Sequence, residues 1–353
     1  MGLVSGGPAD AALESEVDAP RLAGSAVVVG LARFGERSLL AQGAVVRSHD
    51  TAVEIGTGSA VLENSVVIGT SGIPTHIGRR TVFGHRCLVI GATVGNLCEI
   101  GNASILMPGA RVGDRVFLGE GTLVPSGMSL PDDVVAVGRP ARIVRTASTE
   151  DMRRLAELRE GDLSIPPHTT IIIERTQEAA TMGQLYAYRG IVPTVAASAT
   201  LFPTAELTGD VVVGERTIIG AGVKIIGDSH GPVRIGNDVQ ILENTVLHLL
   251  PDNDLIIEDG VTVGPGAMIH GCRIGVQSVI EPGAIVCDGS VLGAGCVVRA
   301  GAVVKQRSRF EPGSDIDGMP AAAVGHLASP PTLPDWALQP SDLPGMTPQA
   351  PGT

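Results

Sequence analysis

The chain has 353 residues and a formal net charge of −12 at pH 7, so it is long enough for two domains with their own cores. An acidic chain disfavours nucleic acid and anionic membranes as partners, because phosphate binding depends on clusters of Lys and Arg. No stretch approaches the roughly 18 apolar residues of a membrane span, and no secretory signal is recognisable, so we expect no membrane partner.

The five cysteines form an odd number without a CxxC pair. This pattern is typical of free thiols in a reducing compartment, and it predicts a cytoplasmic protein. We assign none of these cysteines to a metal.

In chain order, the sequence divides into segments of different composition and periodicity. Residues 149–160 (TEDMRRLAELRE) have the pattern of an amphipathic helix with an N-terminal hydroxyl cap, and residues 169–173 resemble a strand. The proline-rich C-terminal segment is typical of a disordered tail. The predicted order is a leader at 1–22, a first repetitive domain at 23–148, a helix and linker at 149–190, a second repetitive domain at 191–325 and a tail at 326–353.

Both repetitive domains carry aliphatic residues at six-residue spacing. A period of six fits neither an amphipathic helix nor a half-buried strand, and it is the repeat of a β-helix, in which each hexapeptide forms one short strand and a corner. The sequence therefore predicts an all-β protein made of two parallel β-helices in tandem, packed side by side. The repeating residues are Val82, Leu88, Val94, Ile100, Leu106, Val112, Leu118 and Val124 in the first domain, and Ile274, Ile280, Val286, Leu292, Val298 and Val304 in the second.

The two domains can be aligned with each other, LENSVVI at 62–68 with LENTVLH at 242–248. The segments 82–91 and 262–271 align at the same offset. Across this alignment, three positions hold a histidine in one domain and an apolar residue in the other. The three pairs are Ile68 with His248, His85 with Pro265, and Ile90 with His270.

At these residues the chain resembles the γ-class carbonic anhydrases, a family of left-handed β-helices that act as trimers. The matching motifs are TVLH at 245–248, GH at 84–85, MIHGC at 268–272 and GRPARIVR at 138–145. In that family a zinc ion lies between adjacent subunits, with the first and third histidines from one subunit and the second from its neighbour. The resemblance therefore implies left-handed β-helices and one composite metal site, formed by His248 and His270 of the second domain and His85 of the first.

Three imidazoles on Zn²⁺, or on Fe²⁺ or Co²⁺ in its place, leave a position for water, which the metal makes acidic enough to supply hydroxide near neutral pH. The resemblance thus implies hydration of CO2 to bicarbonate. The family's glutamine beside the metal corresponds here to Leu62 and Leu242. Its following aspartate corresponds to Glu63 and Glu243, which are candidate catalytic residues outside the ligand set.

The family also joins its subunits through an R-G-D segment, which is divided here between the two domains. Arg47 matches the arginine, and Gly227 with Asp228 matches the remainder. The resemblance therefore implies an ion pair between Arg47 and Asp228 across the contact between the domains.

The missing glutamine leaves other functions open. One alternative is a hexapeptide-repeat acyltransferase or thioester hydrolase acting on a CoA thioester, with His85 and Arg86 beside Arg79 and Arg80 as candidate residues. Another is a non-catalytic scaffold. Side-by-side packing of two β-helices also leaves a flank for a second copy of the chain, so homo-oligomerisation stays open.

Overall fold

The computed structural model describes residues 18–174, 183–228 and 231–346, so most of the predicted leader lies outside the described residues. The chain forms two parallel β-helices, which confirms the predicted all-β fold. No helix in the described ranges is both long and apolar enough to cross a membrane.

The first β-helix presents three faces. Strands β2 (Val27–Gly35) and β4 (Val45–Ile55) turn a corner and contribute to faces 2 and 3. Face 1 consists of β1 (Arg21–Leu22), β3 (Leu39–Leu40), β5 (Ala60–Val61), β8 (Val82–Phe83), β11 (Glu99–Ile100), β14 (Phe117–Leu118) and β17 (Val134–Val137), closed by the antiparallel β18 (Arg142–Thr146). Face 2 continues with β6 (Val66–Gly69), β9 (Leu88–Ile90), β12 (Ile105–Leu106) and β15 (Leu123–Val124), and face 3 with β7 (Thr75–Ile77), β10 (Thr93–Val94), β13 (Arg111–Val112) and β16 (Ser129–Leu130).

The second β-helix repeats this arrangement with three separate sheets, named here faces 1′, 2′ and 3′. Face 1′ consists of β22 (Thr200–Leu201), β25 (Ile218–Ile219), β28 (Gln240–Ile241), β31 (Thr262–Val263), β34 (Val279–Ile280), β37 (Val297–Val298) and β40 (Ser314–Gly318), closed by β41 (Ala321–His326). Face 2′ consists of β20 (Gln184–Tyr186), β23 (Glu206–Gly209), β26 (Lys224–Gly227), β29 (Val246–Leu247), β32 (Met268–Ile269), β35 (Ile285–Val286) and β38 (Val303–Val304). Face 3′ consists of β21 (Thr194–Val195), β24 (Val211–Val213), β27 (Val233–Ile235), β30 (Leu255–Ile257), β33 (Arg273–Ile274), β36 (Val291–Leu292) and β39 (Arg309–Phe310).

The predicted repeat matches the interior of the first β-helix from Val94 onward, where the repeating side chains are buried in its core. Its first two members are wrong. Leu88 faces the second β-helix and Val82 is half-buried, while Phe83 and Val89 occupy the core positions of those coils. The reason is a short step from Val89 to Val94, which moves the inward position by one residue.

A helix and a strand follow the first β-helix. Helix α1 (Thr149–Glu157) begins with a capping box between Ser148 and Asp151 and ends three residues before the predicted limit. Its Leu155 is fully buried. Strand β19 (Thr170–Glu174) then pairs antiparallel with β2, close to the predicted position.

The two β-helices lie side by side, with face 2 against face 1′. Outward side chains of face 2, among them Val66 and Ile105, form a third buried cluster with Leu242 and Val279 of the second β-helix. Each β-helix therefore has its own interior core, and a separate apolar core joins the two.

Part of the C-terminal tail completes this shared core. Trp336 and Leu338 are buried there, and the main chain of Leu338 exchanges hydrogen bonds of 2.7 and 2.9 Å with the side chain of Gln240. A short helix, α2 (Leu343–Met346), follows. The prediction of disorder is wrong for this stretch, because its few apolar residues fill the space between the β-helices; residues 347–353 lie outside the described residues.

Candidate functional site

Two of the three predicted metal ligands are neighbours on face 2′. His248 and His270 directly follow β29 and β32, which pair in parallel, so they occupy equivalent positions on adjacent coils. Because Leu247 and Ile269 point into the core, the alternation of a strand turns the two histidines outward. Their ring centroids lie 6.3 Å apart, and the ring planes are nearly perpendicular at 81°.

The surroundings of His270 include a carboxylate. Its Nδ1 atom is buried without a hydrogen-bond partner among the described residues, and Oδ2 of Asp288 lies 3.6 Å away. The other oxygen of Asp288 is held by the main-chain N–H of Gly271 at 3.2 Å and the side-chain amide of Asn253 at 3.2 Å. A fixed carboxylate behind an imidazole orients the ring for binding a metal through its other nitrogen.

Sequence reasoning missed Asp288. It stands one coil beyond His270, next to Cys287, and the strand register Met268 to Ile285 brings the two coils together. The spacing of one β-helical coil was the signal in the sequence that could have identified it.

His85 does not join this pair within one chain. It lies at the corner between faces 1 and 2, here called the His85 corner (residues 84–87), where 54% of its side chain is exposed and its Nδ1 atom lies 2.7 Å from Oε2 of Glu63. Within residues 18–174, 183–228 and 231–346, no group of three or more His, Cys, Asp or Glu side chains is placed to hold a metal ion. The composite metal site expected inside one chain is therefore not seen among the described residues.

The packing of the two β-helices explains this outcome. Face 2, rather than face 2′, is covered by the other β-helix, and it carries the apolar counterparts Ile68 and Ile90, both fully buried in the shared core. The corner that contains Pro265 approaches the same face, since a Cβ atom on Gly266 would lie 2.9 Å from Leu88. Within one chain, therefore, the packing brings together Ile68, Ile90 and the corner that contains Pro265, which are the apolar counterparts of the three histidines.

The predicted ion pair across the domain contact has a different partner. Arg47 reaches the second β-helix, but its Nε atom donates to Oε1 of Glu243 at 2.6 Å rather than to Asp228. Its Nη2 atom donates to the main-chain carbonyl of Trp336 at 2.7 Å. Glu243 is therefore a buried structural anion, and Asp228 makes its contacts elsewhere.

The leucines in place of the family's glutamine also differ in their surroundings. Leu242 is fully buried in the core between the β-helices, whereas Leu62 is half-buried beside helix α1. At position 242, therefore, an apolar side chain contributes to domain packing.

All five cysteines are free thiols. Four of them are buried, and Cys287 is half-exposed. Burial raises the pKa of Cys87 and of Cys98 to about 12, so these two thiols stay protonated at neutral pH.

The repeats and the fold define the class of the protein: it is a hexapeptide-repeat, left-handed β-helix protein. Residues 74–107 and 270–304 match the family described as the hexapeptide repeat of succinyl-transferase. A carbonic anhydrase from Geobacillus kaustophilus (strain HTA426) is 43% identical over 143 residues, which are 40% of this chain and 78% of that protein. The carnitine operon protein CaiE from Escherichia coli (strain K12) is 33% identical over 143 residues, 40% of this chain and 72% of that protein. The chain belongs to this family of γ-carbonic anhydrase-like and CaiE-like proteins, and the repeat occurs in two regions of it.

Part of the chain is also similar to solved structures. A putative acetyltransferase from Bacillus cereus has 34% sequence identity, covers 42% of this chain and 86% of its own, and superposes with a TM-score of 0.41. A hexapeptide transferase family protein from Anaplasma phagocytophilum has 28% identity, covers 41% and 84%, and gives a TM-score of 0.39. At these TM-scores the two likenesses carry no argument about function.

Proposed function

We propose that this protein is a metal-dependent CO2 hydratase of the γ-carbonic anhydrase type, in which each metal site is shared between two copies of the chain. His248 and His270 of one copy supply two ligands, and His85 of a second copy supplies the third. The observation that carries the proposal is the pair of outward imidazoles on face 2′, 6.3 Å apart between centroids.

The fit of a metal to one chain is partial. Two imidazoles stand side by side, and the buried Nδ1 atom of His270 beside Asp288 resembles the carboxylate-backed histidines of zinc sites. A three-histidine site needs one more ligand, and the described residues of the same chain do not provide it.

The duplication indicates which residue completes the set. Inside the chain, face 2 receives the corner that contains Pro265, where a Cβ atom on Gly266 would lie 2.9 Å from Leu88. Face 2′ is the copy of face 2, so its matching partner is the copy of that corner, the His85 corner, on another chain. Because face 2 of each copy already holds its own second β-helix, the contact between copies is edge-on through this corner and not a closed ring of three.

The bound metal would supply hydroxide from water near neutral pH for attack on CO2. The residues of the chain itself would bind the metal and orient its histidine ligands. Asp288, 3.6 Å from Nδ1 of His270, would orient that ring, and Glu63, 2.7 Å from Nδ1 of His85, would do the same for the partner's ligand. The relative from Geobacillus kaustophilus that is named a carbonic anhydrase supports this reaction class.

Metal analysis of single and mixed variants tests the proposal. We expect zinc in the wild-type protein, and its loss in H85A and in H270A, while H76A, which alters an exposed histidine on face 3, keeps it. Mixing H85A with H270A after dissociation should restore part of the zinc and of the CO2 hydration activity, because a mixed pair contains one intact set. Full zinc retention in H85A, or no recovery on mixing, contradicts a site shared between copies.

A non-catalytic scaffold is the second candidate. It is favoured by Leu242, which occupies the glutamine position of the family and packs into the core between the β-helices. In that case zinc-supplemented protein should contain no stoichiometric metal, and a chelator should leave its thermal unfolding unchanged, whereas a bound metal couples to stability.

A further inference from the structure

A groove of about 500 Å³ runs along the boundary between the two β-helices. One wall belongs to the first β-helix, from the His85 corner to Ile105, and the other to face 2′. At one end the side-chain amide of Asn244 donates to the carbonyls of Gly43 at 3.0 Å and Asn64 at 3.1 Å, which ties the two walls together. The volume lies within the range of small-molecule sites, roughly 300–1,000 Å³.

The charge of the groove is opposite to that of the chain. Three cations, Arg86, Arg139 and Lys224, line it, and none of its described lining residues is Asp or Glu, although the chain carries −12 overall. Lys224 has a carboxylate partner outside the groove, Glu206 at 2.5 Å. The side chains of Arg86 and Arg139 form no ion pair with any residue in the described ranges.

Arg139 lies at the boundary between the groove and a neighbouring cavity, and its guanidinium is closely packed against Gly301 of that cavity. Its Nη2 atom occupies the space next to Gly301, where a Cβ atom would lie only 1.5 Å away, so the absence of a side chain at position 301 admits the guanidinium. Although much of the residue is exposed, burial of this end lowers the pKa of Arg139. A partly desolvated guanidinium without a carboxylate is stabilised by an anion that binds beside it.

Beyond Lys224, the wall opposite the arginines has an apolar stretch. Val246, Met268 and Ile285 point outward from three successive strands of face 2′, and all three are half-buried at the groove. A ligand that satisfies both walls therefore combines an oxyanion with a hydrocarbon part.

We propose that this groove binds a small organic oxyanion with an aliphatic arm, a carboxylate or a phosphate monoester, with its charged end on Arg86 and Arg139 and its hydrocarbon end on face 2′. This inference goes beyond the proposed hydratase activity, because it involves neither His248 nor His270, although Arg86 belongs to the His85 corner and the apolar wall belongs to face 2′. The site exists only through the fusion of two β-helices, since each of them supplies one wall.

Isothermal titration of the full-length protein with hexanoate and hexyl phosphate tests the proposal. We expect at least one of them to bind, with acetate, which lacks the arm, and hexylamine, which reverses the charge, at least about tenfold weaker. Comparison of the two anions distinguishes the carboxylate from the phosphate monoester. Affinity should fall as salt is raised, since the attraction involves partly exposed charges.

Variants of the two arginines locate the binding. R86Q and R139Q should each weaken binding of the better anion by about tenfold or more, because a hydrogen bond to a charged group is lost. R111Q, which alters an exposed arginine on face 3, serves as the matched control and should bind like the wild type. Arg86 lies at an exposed corner, so R86Q tests the site even if R139Q disturbs folding.

Two results would overturn the proposal. One is the absence of binding by both six-carbon anions to the wild-type protein. The other is wild-type affinity for the better anion in both R86Q and R139Q, which would mean that neither arginine holds its charged end.

Discussion

The Nε atom of Arg47 lies 2.6 Å from Oε1 of Glu243, and this ion pair joins the two β-helices where both side chains are almost completely buried, 1% and 2% exposed. Oε2 of Glu243 lies 3.5 Å from the Nη2 atom of Arg47. This Nη2 atom also donates a hydrogen bond to the main-chain carbonyl of Trp336. The pair therefore connects the first β-helix, the second β-helix and the C-terminal tail at one point.

Replacing one member of this pair should be strongly destabilising. R47M leaves the Glu243 carboxylate buried without its cation, and we expect a loss of about 3–5 kcal/mol in the free energy of unfolding, measured by urea denaturation. The double variant R47M/E243L should recover much of the loss, because it removes both charges. R216A, which breaks the exposed pair of Arg216 and Asp238, should cost no more than about 1 kcal/mol. A loss in R47M no larger than that of R216A would contradict a buried ion pair.

Substitution of Gly266 should separate close packing from backbone strain. Gly266 has a φ of +66°, and a Cβ atom there would lie 2.9 Å from Leu88 of the other β-helix. Gly127 has a similar φ of +71° with nothing within 4 Å of a Cβ atom. We expect G127A to cost about 1–2 kcal/mol through its φ alone. G266A should cost about 1–3 kcal/mol more through overpacking, measured by thermal unfolding. Equal costs would show that the two β-helices are not in contact there.

The tail should contribute to stability through Leu338. This side chain is fully buried, so L338A should lower the free energy of unfolding by about 2–5 kcal/mol. Leu333, five residues earlier in the same tail, is 40% exposed, and L333A should change it by no more than about 0.5 kcal/mol. If chemical denaturation gives the two variants the same stability, the tail is not packed in solution.

The buried carboxyl of Glu281 should give the protein a distinct pH dependence. Burial raises the pKa of Glu281 above its ordinary value of 4.5, although Arg299 lies 3.2 Å away. The folded state therefore holds this proton more tightly than the unfolded state, and the contribution of Glu281 to stability falls as the pH rises from about 4.5 toward neutrality. Relative to wild type, E281Q should gain stability over this range, measured by urea unfolding at successive pH values.

Asp238 serves as a control, because its pKa is shifted in the opposite direction to that of Glu281. Its hydrogen bond with Arg216 lowers the pKa of Asp238 below its ordinary value of 3.8, so its contribution is present above pH 3.8 and is lost as the pH falls. D238N should therefore lose stability relative to wild type at neutral pH and approach it in acid. For Glu281, curves of unfolding free energy against pH that run parallel in E281Q and wild type would contradict its raised pKa.

Much of the fold could be predicted from the sequence, because a β-helix is built from local repeats. The six-residue spacing identified both β-helices, and the pattern at 149–160 identified helix α1. The errors at Val82 and Leu88 arose where one corner is shorter, which a fixed period does not reveal. The tail was misjudged because its prolines outweighed Trp336 and Leu338 in composition, although these two residues decide its packing.

The candidate site was predictable only in part. His248 and His270 were identified because they stand on adjacent coils of one β-helix, where register follows from the repeat. The position of His85 relative to the other two histidines depends on which faces of the β-helices pack together. The pairing of Arg47 with Glu243 instead of Asp228 depends on the same contact. Both concern residues that are far apart in the chain.

The sequence by itself determined the all-β repeat architecture, its duplication and the apolar or histidine character of each equivalent position, since all of these follow from spacing along the chain. Only the tertiary structure decided that face 2 packs on face 1′, so that Ile68 and Ile90 are covered while His248 and His270 are left on an outer face. The physical reason is that both copies carry similar outward aliphatic residues, and the choice between their faces depends on the summed fit of Val66, Leu88 and Ile105 against the second β-helix and the tail.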